Sequence, residues 1–217
     1  MKLINKLERK IGKFAIPNLM LAIVMGMFIV YIITLTFPQI GLWNYLYFDR
    51  KLVFSGEVWR LISFIILPPQ SSIIFIILSL YFYYMIGSTL ENEWGSFKFN
   101  IYYLFGIVGT IIAGLITGFA QNSFLNLSLF LAFAVLYPNY EILLFFFIPI
   151  KVKYLAYLDA IYFIIILIIG SWDSKAAVLA SLINFFLFFG GDFIRYIKEE
   201  KSYLKTRRNF KKVMKNR

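Results

Sequence analysis

The sequence predicts an all-α integral membrane protein, a bundle of six transmembrane helices with an interfacial loop between the first two. Three observations predict it. Of 217 residues, 61% are hydrophobic and the mean hydropathy is +0.77, whereas a soluble domain has about 45–50% apolar residues. Only 15% of residues are charged, and these gather at the two ends and in short gaps between apolar runs. The runs themselves match the roughly 20 apolar residues that a helix needs to cross the hydrocarbon core.

Helix 1 is expected over residues 19–37, between Pro17 and Pro38, within a stretch from Phe14 to Phe48 that carries no charge. It is too long, and lacks the small-residue cleavage site, for a signal peptide. Residues 38–70 mix Asp49, Arg50, Lys51, Glu57, Trp59 and Arg60 with Pro68-Pro69, which suits an interfacial loop with short helices. Helix 2 follows over 71–90 and ends at Glu91-Asn92-Glu93-Trp94-Gly95. Residues 99–140 are again free of charge. They allow two crossings, helix 3 over 97–119 and helix 4 over 123–137, with the break at Gln121-Asn122. Residues 142–150 are apolar but too short to span, and predict an interfacial segment. Helix 5 is expected over 154–172 and helix 6 over 176–194.

This divides the chain into a basic N-terminus (1–18), a membrane domain (19–194) and a basic tail (195–217). An even number of crossings puts both ends on one side, and their lysines and arginines assign that side to the cytoplasm of a cell membrane. The net charge of +11 sits mainly at these ends. The expected partners are therefore the lipid bilayer and its anionic headgroups rather than nucleic acid. Abundant Ile, Phe, Lys and Asn suit a bacterial chain.

The chain has no cysteine and no histidine. That excludes disulfides and thiol nucleophiles, and removes the commonest general base and the commonest transition-metal ligand. No metal or cofactor is expected.

Polar and small residues inside the spans are the remaining candidates. Gly106, Thr110, Gly114 and Gly118 recur every four residues in helix 3, a pattern that lets two backbones approach closely in lipid; packing within the chain is the preferred reading over a homodimer face. Asn122, Asn126 and Ser128 in helix 4 and Ser181 and Asn184 in helix 6 need partners or water, either as interhelical hydrogen bonds or as a polar cleft. Asp159 is the one acid within helix 5, where a charge near the midplane costs about 2.5–3.5 kcal/mol.

Three segments resemble the rhomboid family of intramembrane proteins. Gly56-Glu57-Val58-Trp59-Arg60 looks like the Trp-Arg motif of the loop between helices 1 and 2. Gly87-Ser88-Thr89-Leu90-Glu91-Asn92-Glu93-Trp94-Gly95 is similar to the family's ending of helix 2. Leu136-Tyr137-Pro138-Asn139 with residues 143–151 resembles the link between helices 4 and 5. The likeness covers about residues 45–190 and implies a rhomboid-like six-helix bundle. It makes Gly56, Trp59, Arg60, Glu91, Trp94 and Gly95 fold-motif residues.

Active rhomboids use a serine in a Gly-x-Ser-Gly turn at the start of helix 4 and a histidine in helix 6. The serine position here is Ser123 or, with a gap, Ser128, and both flanking glycines are missing. Ser181 stands at the histidine position. A serine hydroxyl needs an adjacent base, and Ser181 and Asn184 supply none near neutral pH. Lys175 and Asp159 are the conceivable replacements, but a base must come within about 3 Å of the proton it takes.

The likeness with its departures therefore implies a catalytically inactive rhomboid-like protein. It would bind transmembrane segments of client proteins for quality control, assembly or sequestration. An active serine endopeptidase with an unconventional site is one alternative. A small-molecule or lipid-binding protein using Asn122, Asn126, Asn184 or Asp159 is another.

Overall fold

The computed structural model describes residues 2–69, 72–144 and 148–190. The tail assigned to 195–217 and the last residues expected in helix 6 lie outside them. An N-terminal helix, α1 (Lys2–Ile11), is followed by α2 (Leu19–Thr36), the three short helices α3 (Leu42–Leu46), α4 (Arg50–Phe54) and α5 (Arg60–Ser63), then α6 (Ile73–Trp94), α7 (Ser96–Thr117), α8 (Ser123–Leu136) and α9 (Val152–Ile169). A final helix, α10, covers Trp172–Gly190. Five of these, α2, α6, α7, α9 and α10, are long and apolar enough to cross a membrane. The molecule is an all-α membrane protein. The expected helix 4 is α8, with 14 residues. At 1.5 Å per residue it is about 21 Å long, less than the roughly 30 Å of a hydrocarbon core.

Helix ends fall where local chemistry puts them. Helix α2 stops before Phe37, whose backbone leaves the helical region (φ −129°, ψ 63°) ahead of Pro38; a residue before proline avoids the α conformation. Helices α6 and α7 meet at Gly95, which has φ +82°, a conformation open to glycine without strain. At this corner Glu91 is buried and its Oε1 accepts from the Asn18 N–H (2.7 Å) and the Ser96 hydroxyl (2.7 Å). One carboxylate thus ties the start of α2 to the turn between α6 and α7. Trp94 packs there against Phe99, Tyr102 and Phe189, with ring centroids 6.4, 5.5 and 5.1 Å apart.

The interfacial loop is built around Arg60, which is 3% exposed. Its Nε donates to Glu57 Oε2 (2.7 Å), its Nη1 to the Tyr47 carbonyl (2.8 Å), and its guanidinium lies 4.9 Å from the Tyr47 ring centroid. Trp59 Nε1 donates to the Tyr45 carbonyl and Ser63 Oγ to that of Leu46. Gly56, at φ +111°, makes the turn ahead of them. Two further contacts fasten this loop to the bundle. Arg50 Nη1 donates to the carbonyls of Leu115 (3.1 Å) and Ile116 (3.0 Å), capping the last turn of α7, where a cation also complements the helix dipole. A two-residue antiparallel ribbon pairs β1 (Phe48–Asp49) with β2 (Phe119–Ala120).

The segment expected to lie at the interface after helix 4 is an antiparallel hairpin, β3 (Glu141–Leu144) with β4 (Ile148–Lys151). Pro149 fits because each strand of a two-stranded ribbon is an edge. Bonds from Val152 N to the Tyr140 carbonyl and from Lys153 N to that of Pro138 close its base. Nearby, the Tyr137 hydroxyl donates to Glu93 Oε2 at 2.8 Å, and this bond holds the phenol above its ordinary pKa.

The small-residue row of α7 divides into two roles. A Cβ on Gly106 would overlap Leu125 Cδ1 and come within 3.0 Å of Asn184 Nδ2, and one on Gly114 would come within 2.7 Å of Ala120 Cβ and Phe48 Cε1. These two glycines are close-packing positions within the chain. Thr110 is buried and bonds back to the Gly106 carbonyl. Gly118 packs against nothing within 4 Å; at φ +108° it is the left-handed cap that ends α7. Gly106→Val and Gly114→Val are expected to destabilise the protein by about 1–3 kcal/mol through overpacking. Gly109→Ala, whose Cβ would lie an ordinary 3.4 Å from that of Ala180, is expected to leave the thermal midpoint in detergent unchanged.

Candidate functional site

Helix α8 is the most enclosed element, and its polar residues decide what the bundle can do. Its N-terminus is held by Asn122, whose Nδ2 donates to the carbonyls of Ile65 (2.8 Å) and Leu67 (2.9 Å). Asn122 was one of the cleft candidates. Both hydrogens of its amide nitrogen are committed to holding the interfacial loop against α8.

Ser123 is the first residue of α8 and is exposed. Beside it, Phe124 is buried. Its ring stacks on Tyr162 (6.4 Å) and meets Phe163 edge-on (6.0 Å), in a cluster with Ala177 and Val178. An apolar contact thus joins α8, α9 and α10 next to Ser123 in the chain. Ser128 lies a turn and a half further on and is fully buried. Its hydroxyl donates to the Leu125 carbonyl (2.8 Å), and Tyr102 donates to the Ser128 carbonyl (3.1 Å) and hydroxyl (3.3 Å). Neither serine contacts a base among the described residues. Lys175 Nζ sits 5.7 Å over the Trp172 ring, and neither Asp159 oxygen has a hydrogen-bond partner.

Elsewhere in the bundle, buried polar groups with unused capacity are found on α7, α8, α9 and α10. Asn126 is 3% exposed, and neither its Oδ1 nor its Nδ2 makes a hydrogen bond. The Tyr83 side chain of α6 lies beside it but outside hydrogen-bond geometry, and Tyr83 neighbours Tyr103 of α7, whose hydroxyl is also unpaired. On α10, Asn184 gives its Nδ2 to the Tyr102 carbonyl (3.2 Å) and keeps a free Oδ1, while the buried Ser181 hydroxyl has no partner. On α9, Asp159 is 7% exposed and lies one turn from Phe163 on the helix's buried stripe. Leaving such a group unsatisfied costs about 1–3 kcal/mol each, so this cluster is not built for stability.

The structure gathers Asn126, Tyr83 and Tyr103 at one place and Asn184, Tyr102 and Gly106 at an adjoining one. It does not bring Ser123 to Ser181. The three tyrosines escaped the sequence reading, although their position was a signal: tyrosine favours the ends of spans, and these stand well inside α6 and α7. Among the described residues no group of three or more His, Cys, Asp or Glu could hold a metal ion.

Asn122 and Asn126 make opposite predictions. Asn122→Leu strips the loop carbonyls of their donor and is expected to lower stability by about 1–3 kcal/mol. Asn126→Leu replaces an unbonded amide with an apolar group of similar size and is expected to raise it. Thermal unfolding of both variants in detergent reads the contrast, and equal destabilisation would show that Asn126 has a structural partner. Comparison with models of protein families matches none, and comparison with curated proteins matches none, so the reading of this site rests on its own residues.

Proposed function

We propose that this chain is a catalytically inactive, rhomboid-like protein of the cell membrane that binds transmembrane segments of other membrane proteins. In this reading α8 is the sixth crossing and both termini are cytoplasmic, as the basic ends suggest. The observation that carries it is the set of buried groups with spare hydrogen-bonding capacity, Asn126, Asp159 and Ser181, in a bundle whose serines have no base. Such groups favour a hydrogen-bonding residue on an incoming helix, because hydrocarbon offers no competing partner. Helix α9 suits the point of entry: only Val152, Asp159 and Phe163 are buried along it, so little apolar packing opposes its displacement. The loss of proteolysis is supported by Phe124 at the serine level and by Ser181 where a histidine would be required.

A photocrosslinking residue at Leu158, exposed beside Asp159, tests the reading in native membranes. Membrane proteins should be enriched over an unrelated six-helix control, and Asp159→Leu should remove most of that enrichment. No enrichment would end the client-binding reading. Hydrolysis of a transmembrane substrate that Ser123→Ala or Ser128→Ala abolishes would instead establish a protease.

A second reading is favoured by Asn126 alone, whose amide has two donors and an acceptor free. A small polar molecule or lipid headgroup could occupy that place. Ligand-dependent stabilisation that disappears in Asn126→Leu would support it over client binding.

A further inference from the structure

The N-terminal helix α1 stands apart from the six apolar helices and is used by neither reading above. Between α1 and α2 stands Asn18, the one non-glycine residue with positive φ among those described (54°). Helix α1 is then seated against α7: Glu8 Oε2 lies 3.6 Å from Lys98 Nζ, and Asn100 Nδ2 donates to the Ile16 carbonyl at 3.1 Å. Two exposed faces remain. Leu7 and Ile11 of α1, and Phe14 in the short turn that follows it, are 39%, 42% and 72% exposed. Lys6, Arg9, Lys10 and Lys13 are all exposed and repeat with helical spacing on the adjoining face. Glu8, the one acid on this helix, is turned toward Lys98.

We infer that α1 is a lipid-reading helix. It lies in the plane of an anionic leaflet, with Leu7, Ile11 and Phe14 among the upper acyl chains and its lysines and arginine among the phosphates. A water-exposed apolar edge flanked by cations is the pattern of an interfacial helix, and each cation near an anionic surface adds attraction. The leaflet is already at hand, because α2 begins at Leu19, only eight residues after α1 ends. A zwitterionic leaflet would leave the cations unmatched and so would hold the helix, and its apolar edge, less firmly. The seat also connects lipid charge to the bundle. Asn18 donates to Glu91, which holds the corner between α6 and α7, so a force on α1 is delivered to that corner. None of this depends on the rhomboid likeness.

The chain has no cysteine, so single cysteines at Leu7, Ile11 or Lys10 of the full-length protein can carry an environment-sensitive dye without background. The labelled proteins are reconstituted in nanodiscs of phosphatidylcholine alone or mixed with phosphatidylglycerol. In the anionic discs, dyes at positions 7 and 11 should be quenched by lipid-borne nitroxide, and the dye at position 10 by aqueous iodide. Reversing Lys6, Arg9 and Lys10 to Glu should lower the membrane-bound population of α1 roughly tenfold or more, and high salt should weaken it likewise. The neutral variant with Gln at all three positions should fall between, and matching thermal midpoints exclude misfolding. Iodide access at positions 7 and 11 in anionic discs would overturn the inference. So would equal protection in phosphatidylcholine discs, or protection that appears only when membrane proteins are added, which would make the occupant a protein.

Discussion

Hydrocarbon supplies no hydrogen bonds, so a polar group carried into a bilayer must find its partner within the protein. Most of the architecture follows from meeting that demand. Arg50 meets it for the open carbonyls of α7, Asn122 for the carbonyls of the interfacial loop, and Glu91 for the Asn18 amide just ahead of α2 and the Ser96 hydroxyl. All but the Ser96 bond join elements far apart in the chain. The same groups that would otherwise destabilise the bundle therefore hold its loop and its corners in place.

Against that background the exceptions carry the meaning. Asn126, Asp159 and Ser181 sit in the same bundle with capacity unused, although apolar residues of similar size would pack there without penalty. Among the described residues, exposed Ser123 and buried Ser181 each lack a hydrogen-bonded base.

Much of the fold was legible in the sequence because lipid imposes a simple rule on composition. Runs of apolar residues bounded by Pro17, Pro38, Glu91 and Gly118 locate helices to within a few residues. The basic charges inside the loop were harder. Arg50 and Arg60 donate to fixed acceptors, Leu115 and Ile116 for one and Glu57 and Tyr47 for the other, pairings that composition alone does not reveal. Periodicity also grouped Gly118 with Gly106 and Gly114, yet backbone conformation separates them. The hairpin after α8 was not legible, because a short apolar run has no periodicity that distinguishes a ribbon from an irregular segment. Nor were the paired Tyr83 and Tyr103, whose meeting depends on how α6 and α7 rotate about their own axes.

The anchoring of the interfacial loop has a consequence for biogenesis. Arg50 reaches carbonyls 65 and 66 positions later in the chain, and the partners of Asn122 lie 55 and 57 positions before it. A ribosome adding about 5–20 residues per second leaves that loop without its final partners for several seconds. During that interval Arg50 is without its final acceptors, which lie in α7. The loop can settle only after α7 and the start of α8 have arrived. Its maturation is therefore a late event in a segment made early, and the interval before it is when an insertase or chaperone has the most to protect.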